Sequence, residues 1–165
     1  MVARAEELGV PRNSRMFRHA LRTICNVTPE SISGKIDFLR NILGCSEAEV
    51  AVCKSPRILS LSEDNLGRTV EFLKVQVGLE PSYIVRRPGM LLNSLQRRLL
   101  PRHYAIKVLK VKGLVKENID FYSVACMPEK RFTEKFLDCH KESVPGLAGA
   151  YAAACAGQVP HKMEL

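Results

Sequence analysis

Two apolar residues followed by a basic one recur along the chain, as Phe38-Leu39-Arg40, Phe72-Leu73-Lys74 and Val108-Leu109-Lys110. A glycine follows each triplet closely, and Gly9, Gly44, Gly78 and Gly113 are spaced by 35, 34 and 35 residues. A second mark recurs in the central units, as Lys54-Ser55-Pro56-Arg57-Ile58-Leu59 and Arg86-Arg87-Pro88-Gly89-Met90-Leu91. Self-similarity at this period is the signature of a helical repeat array, in which each unit buries its apolar face by stacking on its neighbours. The spacing divides the chain into units 9–44, 45–78, 79–113 and 114–140 and a capping tail 141–165, all in one domain of residues 1–165. Arrays of this kind expose long surfaces and favour binding over catalysis.

Such a period predicts two helices per unit. In the second unit Ser46 precedes Glu49 by three residues, a capping-box pattern that starts a short helix through Cys53. Pro56 stops it, because proline lacks the N–H that the helix ladder needs. A new start follows at Ser62, with Glu63 and Asp64 in the first turn. Leu66, Val70, Leu73 and Val77 then form one apolar stripe that ends at Gly78. The third unit repeats the plan: Pro81 suits a first turn, Pro88 ends the short helix, and a longer basic helix runs from Ser94 to Lys112. Pro101 predicts a kink or a new start within it. In the first unit Ser31 or Ser33 is expected to cap the helix bearing Ile36, Leu39 and Leu43. In the fourth, Met127-Pro128 echoes the proline stop, and Phe132 and Phe136 make an i, i+4 pair. Leu147–Ala156 reads as a final helix that covers the end of the stack.

The chain has 165 residues, 46% of them hydrophobic and 25% charged, which predicts a folded protein rather than a disordered one. Lys and Arg exceed Asp and Glu by 25 − 17 = 8, and the isoelectric point is about 9.4. So basic a balance points to an anionic partner, nucleic acid first and an anionic membrane surface second, against a merely solvated basic face. No apolar run is long enough to span a membrane. The six cysteines show no CxxC pair and no zinc spacing, so free thiols, half of them in the core, are expected. Cys139-His140 reads as a surface helix end. Residues 11–22 carry Arg12, Arg15, Arg18 and Arg22 with no acid. That pattern suits either a basic first repeat or an organelle transit segment, and the Gly9–Gly44 spacing favours the repeat. No cleavable segment is expected within these residues, so any targeting signal would lie upstream.

Laid out in this way, the chain resembles the mTERF family, the relatives of the mitochondrial transcription termination factor that are numerous in plant organelles. The resemblance lies in Lys54-Ser55-Pro56-Arg57-Ile58-Leu59, Asn65-Leu66, Val70-Glu71-Phe72-Leu73 and Val77-Gly78. It continues in Arg87-Pro88-Gly89-Met90-Leu91, Ser94-Leu95, Arg97, Leu99, Pro101-Arg102-His103-Tyr104, Asp120-Phe121-Tyr122 and Glu134-Lys135-Phe136. It covers roughly residues 9 to 157 and is closest to the C-terminal portion of such proteins. The resemblance implies an all-α left-handed solenoid of two antiparallel helices and a short 3₁₀ turn per unit. It also implies a non-enzymatic nucleic-acid-binding protein of mitochondria or chloroplasts, acting in transcription termination or regulation or in RNA processing.

The residues themselves locate a candidate surface. Between Glu80 and Glu117 there is no acid, yet Arg86, Arg87, Arg97, Arg98, Arg102, Lys107, Lys110, Lys112 and Lys116 fall there. Phosphate contacts supply most non-specific affinity, so an acid-free basic strip is the expected footprint. On one helix Arg98 and Arg102 share a face, with Arg97 beside them, and Lys54, Arg57 and Arg68 extend the strip to the neighbouring unit. The candidate nucleic-acid-binding residues are therefore Lys54, Arg57, Arg68, Arg86, Arg87, Arg97, Arg98, Arg102, Lys107 and Lys110, on double-stranded DNA or RNA. Against this stands a structural role for some of them, Arg86 and Arg87 above all, as covers or caps of helix ends. Tyr104 and Phe72 are expected between repeats rather than on bases, and Phe121, Tyr122, Phe132 and Phe136 in the core. No phosphate loop, HExxH, nucleophile elbow or carboxylate pair occurs, so no catalytic residue, metal or cofactor is expected. The rival function is a protein-interaction solenoid that binds no nucleic acid, and an open repeat end predicts self-association.

Overall fold

Proline and glycine set the breaks of an all-helical chain. A computed structural model describes residues 10–24, 27–44 and 48–158. The described residues contain helices and turns but no strand. The chain divides into two compact units, Met1–Leu92 and Asn93–Leu165. The division falls inside the third sequence unit, between its 3₁₀ turn and its long helix.

The first unit contains α1 (Phe17–Ile24), α2 (Pro29–Leu43), α3 (Ala48–Lys54), α4 (Glu63–Glu71) and α5 (Pro81–Arg86). Pro56 and Pro88 end α3 and α5 as expected, and each opens a 3₁₀ turn, Pro56–Ser60 and Pro88–Leu92. The two turns pack on each other, and α3 packs on α5. Ser62 caps α4, its hydroxyl accepting from Asn65 N at 3.2 Å. Leu66, Val70 and Leu73 of the stripe are buried, together with Phe72, while Val77 is half-buried. The helix does not stay α-helical to its end, because Phe72–Gln76 widens into a π-helical turn. The α2 cap differs from expectation: Thr28, rather than Ser31 or Ser33, accepts from Ser31 N at 3.2 Å. Pro29 explains this, since its preset φ makes it a first-turn residue and sets the cap at Thr28, three residues before Ser31. The Ser46 capping box and Gly9 lie outside the described residues. Gly44, Gly78 and Gly113 all have φ near +70 (67, 78 and 67°), the left-handed conformation that ends a helix and that a Cβ disfavours. The repeated glycine is therefore a repeated helix stop.

The second unit contains a π-helical turn (Leu95–Leu99) that leads directly into α6 (Leu100–Val111), then α7 (Phe121–Cys126), α8 (Glu129–Phe132) and α9 (Leu147–Cys155). Ser94 caps the first of these, accepting from Arg97 N at 3.2 Å. Pro101 sits in the first turn of α6, and the widened turn precedes the point where its missing N–H breaks the ladder. Asp120 caps α7, and Met127-Pro128 separates α7 from α8. A further π-helical turn, Thr133–Leu137, follows α8. Helix α9 packs on α6 and on both π-helical turns of this unit.

At the centre of this unit lies Arg102, whose side chain is fully buried. Its Nη1 donates to the carbonyls of Val124 (2.6 Å), Ala125 (3.2 Å) and Met127 (2.6 Å) at the end of α7. Its Nη2 meets the Glu129 carboxylate at 2.6 Å, and its Nε lies 3.4 Å from the Tyr151 hydroxyl. The guanidinium also stacks 4.6 Å from the Phe132 ring centroid. Tyr151 donates to Glu129 at 2.7 Å and stacks on Phe132 at 5.1 Å, which ties α9 into the same knot. Burial pushes the Glu129 carboxyl up, but hydrogen bonds from Tyr151 and Arg102 outweigh it, and the net direction is down. An uncharged replacement such as Arg102→Met would strand three carbonyls and a carboxylate. We expect it to cost this unit about 3 kcal/mol in chemical denaturation. Arg102→Lys should restore little, because an ammonium cannot serve the fork. A depressed carboxyl contributes stability that is present above the ordinary carboxylate range and lost as pH falls. Acid melting should accordingly begin at higher pH in the native chain than its packing alone requires, and Glu129→Gln should flatten that dependence. A loss below about 1 kcal/mol for Arg102→Met would contradict the assignment.

Candidate nucleic-acid interface

Short helices end in positive charge here. Lys54 occupies the last turn of α3, Arg86 the last turn of α5, and Arg87 the position just beyond it. Cations suit these positions because the helix dipole and unpaired carbonyls place partial negative charge there. Lys54 Nζ donates to the Arg86 carbonyl at 3.0 Å, so the C-terminal ends of α3 and α5 lie side by side. Arg57 follows on the first 3₁₀ turn, exposed, with no hydrogen bond or ion pair among the described residues. Arg87 donates to the Tyr83 hydroxyl at 3.0 Å and stacks 4.9 Å from that ring, which orients its guanidinium. Lys54, Arg57, Arg86 and Arg87 are all exposed, and together they form a basic edge on the first unit. Arg68 is exposed as well but is paired with Asp64 one turn earlier, so its charge is locally neutralised.

The first 3₁₀ turn also packs against α1. Between them is a cleft of about 380 Å³ lined by His19, Arg22, Thr23, Arg57 and Ser60. Sequence reading named Arg57 as a candidate but not the other residues of this cleft, His19, Arg22, Thr23 and Ser60. For His19 and Arg22 a signal was available in the acid-free run with four arginines at residues 11–22.

In the second unit the expected set divides. Arg97 and Lys107 are exposed, and Lys110 is half-buried. Arg102 is a correction, since its guanidinium is enclosed and cannot meet an external phosphate. Arg98 belongs largely with it: its Nε donates to the Ala125 carbonyl at 2.9 Å and its Nη2 to Met127 at 2.6 Å. The two arginines do share a helix face, but that face looks onto the end of α7. His103 packs edge-on against Phe121 with centroids 5.9 Å apart. Burial, then Lys107 and Lys110, push its pKa down, so it packs as a neutral ring. Tyr104 and Tyr122 are half-buried, while Phe72, Phe121, Phe132 and Phe136 are buried.

No group of acids, histidines and cysteines that could hold a metal occurs among the described residues. The described cysteines are free, and none is fully buried: Cys53, Cys126 and Cys155 are half-buried and Cys139 is exposed. This departs from the expected core placement, while Cys25 and Cys45 lie outside the described residues. Burial pushes the Cys53, Cys126 and Cys155 thiols up, away from nucleophilic thiolate. No described helix is long and apolar enough to cross a membrane.

Comparison with known families adds one match, to the mTERF family model over residues 6–133. The chain belongs to the mTERF family. No curated protein and no solved structure matches it. The family is one of generally organellar, non-enzymatic nucleic-acid binders in transcription and RNA processing. In this mTERF chain Lys54, Arg86 and Arg87 at helix ends face solvent, as do Arg57, Arg97 and Lys107. Arg97 and Arg98 are neighbours in sequence with different roles, so truncation should separate them. Arg97→Ala should leave thermal stability within about 0.5 kcal/mol, whereas Arg98→Ala should cost about 1–3 kcal/mol by stranding carbonyls. Equal melting temperatures for the two variants would refute that division.

Proposed function

We propose that this mTERF protein binds the backbone of DNA or RNA along the basic edge of its first unit, and acts in organellar transcription termination or regulation or in RNA processing. The observation that carries the reading is the junction of the two proline turns, where Lys54, Arg57, Arg86 and Arg87 gather beside α3 and α5. Three of the four end or follow a helix; the Arg86 carbonyl orients Lys54 and the Tyr83 hydroxyl and ring orient Arg87, while all four stay exposed. Exposed arginines on such an edge contact phosphates in register and leave base choice to a few side chains. Arg97, Lys107 and Lys110 of the second unit add phosphate contacts, and Arg68 contributes where it releases Asp64. A left-handed stacking of the repeats and residence in a mitochondrion or chloroplast belong to the same reading.

One observation favours the rival, a protein-interaction solenoid. Between α2 and α4 runs a groove of about 520 Å³ with Phe38, Ile42, Val70 and the largely exposed Val75 in its lining. Fluorescence anisotropy with duplex DNA and single-stranded RNA across a salt series separates the two functions. Counterion release predicts affinity that falls steeply with salt. Neutralising Lys54, Arg57, Arg86 and Arg87 together to Gln should lower the duplex salt slope by roughly three to four, about 0.9 for each phosphate left without its cation. Absence of binding to either ligand at low salt would leave the interaction solenoid as the function.

A further inference from the structure

The groove of about 520 Å³ between α2 and α4 shares no lining residue with the basic edge. Phe38, Ile42 and Val70 supply its apolar surface, together with Val75 on the widened turn Phe72–Gln76. Val75 is 75% exposed, so an apolar side chain beside other apolar groups is left to water. The two cations of the groove are engaged within the chain. Arg68 pairs with Asp64, and Lys74 Nζ donates to the Ile42 carbonyl at 3.1 Å. Glu63 and Glu71 are exposed and have no hydrogen bond or ion pair among the described residues. Glu63 suits the first turn of α4, but Glu71 ends that helix, where the dipole disfavours an acid. Helix stability therefore does not account for Glu71. Gly67 points the same way. It stands inside α4, where glycine is less favourable than alanine, yet an added Cβ would meet only Phe38 Cζ, at an ordinary 3.8 Å. Packing within the chain does not require the glycine; a shallow, open groove does.

The geometry points to a docking groove for one amphipathic helix of a partner protein, apolar along one face and basic on its flanks. A helix laid by its i, i+3, i+4 and i+7 anchors into a groove between two others is a recurrent mode of recognition. Charge decides among the possible occupants. Carboxylates at the rim repel the phosphates of a nucleic acid or an anionic membrane, and they attract lysine or arginine. A second copy of this chain would bring a second net charge of +8 to the contact, which disfavours self-association. Glu63 and Glu71 are eight residues apart, about 12 Å along the helix axis at 1.5 Å per residue. The partner helix therefore carries basic residues two turns apart, one for each carboxylate. Its apolar row covers Val70 and Val75 and approaches α4 closely at Gly67. Protein docking here leaves the basic edge open, so the chain can hold a nucleic acid and a protein at once.

The test is an NMR titration of the full chain with a synthetic helical peptide of about four turns. The peptide has leucines at i, i+3, i+4 and i+7 and lysines two turns apart on its flanks, and a control peptide has glutamates in place of the lysines. Saturable shifts at Gly67, Val70 and Val75 are expected with the lysine peptide. Affinity should fall roughly fivefold in a Glu63→Gln/Glu71→Gln variant, and the glutamate peptide should bind still more weakly. Val75→Asp, at an exposed position, should leave the fold intact and abolish the shifts. Gly67→Ala should raise the midpoint of thermal unfolding and yet weaken the peptide, a split that a purely structural glycine would not give. Shifts absent with the lysine peptide, or equal affinity for the two peptides, would overturn the proposal. Shifts at the same residues on concentrating the chain alone would also overturn it, by giving the groove to a second copy. The groove variants should keep their salt-dependent anisotropy with duplex DNA, so loss of the groove and loss of the proposed function are told apart.

Discussion

Every helix ends in carbonyls with no partner further along the chain, and a protein built from many short helices must satisfy many such ends. In this fold basic side chains from other elements do much of that work. Lys74 Nζ donates to the Ile42 carbonyl in the last turn of α2 at 3.1 Å, and Lys35 donates to the Leu61 carbonyl beyond the first 3₁₀ turn. Lys54 reaches the end of α5, and Arg98 and Arg102 close the end of α7. Where the end is enclosed, the donor is a forked arginine that serves several carbonyls at once. Where it is less enclosed, a lysine suffices, half-buried at Lys35 and Lys74 and exposed at Lys54. The repeat pattern of apolar, apolar and basic positions is in part the imprint of this constraint, since Lys74 is the third residue of such a triplet.

Much of the architecture was legible because its determinants are local. Glycines that stop helices and prolines that divide a unit act through their own φ and missing N–H, whatever lies around them. Pro56, Pro88, Gly78 and Gly113 therefore behave as their sequence positions imply. Thr28 was overlooked because Pro29 overrides the serine signals further on. The π-helical turns left no local mark, since they depend on how a whole helix meets its neighbours.

The candidate surface was legible only in outline. Charge density along the chain locates a basic segment but cannot say which way each side chain turns. Arg97, Arg98 and Arg102 look alike in a list, yet one faces water, one is mostly engaged by carbonyls and one is enclosed. The deciding fact is the position of the α7 end, a tertiary property more than twenty residues away in the chain. The reverse error occurred at α1, where an ambiguous arginine-rich run proves to be one wall of a cleft. Its other wall comes from residue 57 onward, beyond the reach of any local pattern.

Each of the long helices that follow Ser62, Ser94 and Pro128 contains one widened turn. A π-helical turn holds one residue more than the α-helical turn it replaces, with the apolar stripe picked up again beyond it. Such a helix can gain or lose a residue at that turn while both of its ends stay in place. Each of these helices thus has a built-in site where a residue can be inserted or removed without shifting the surfaces that its two ends present.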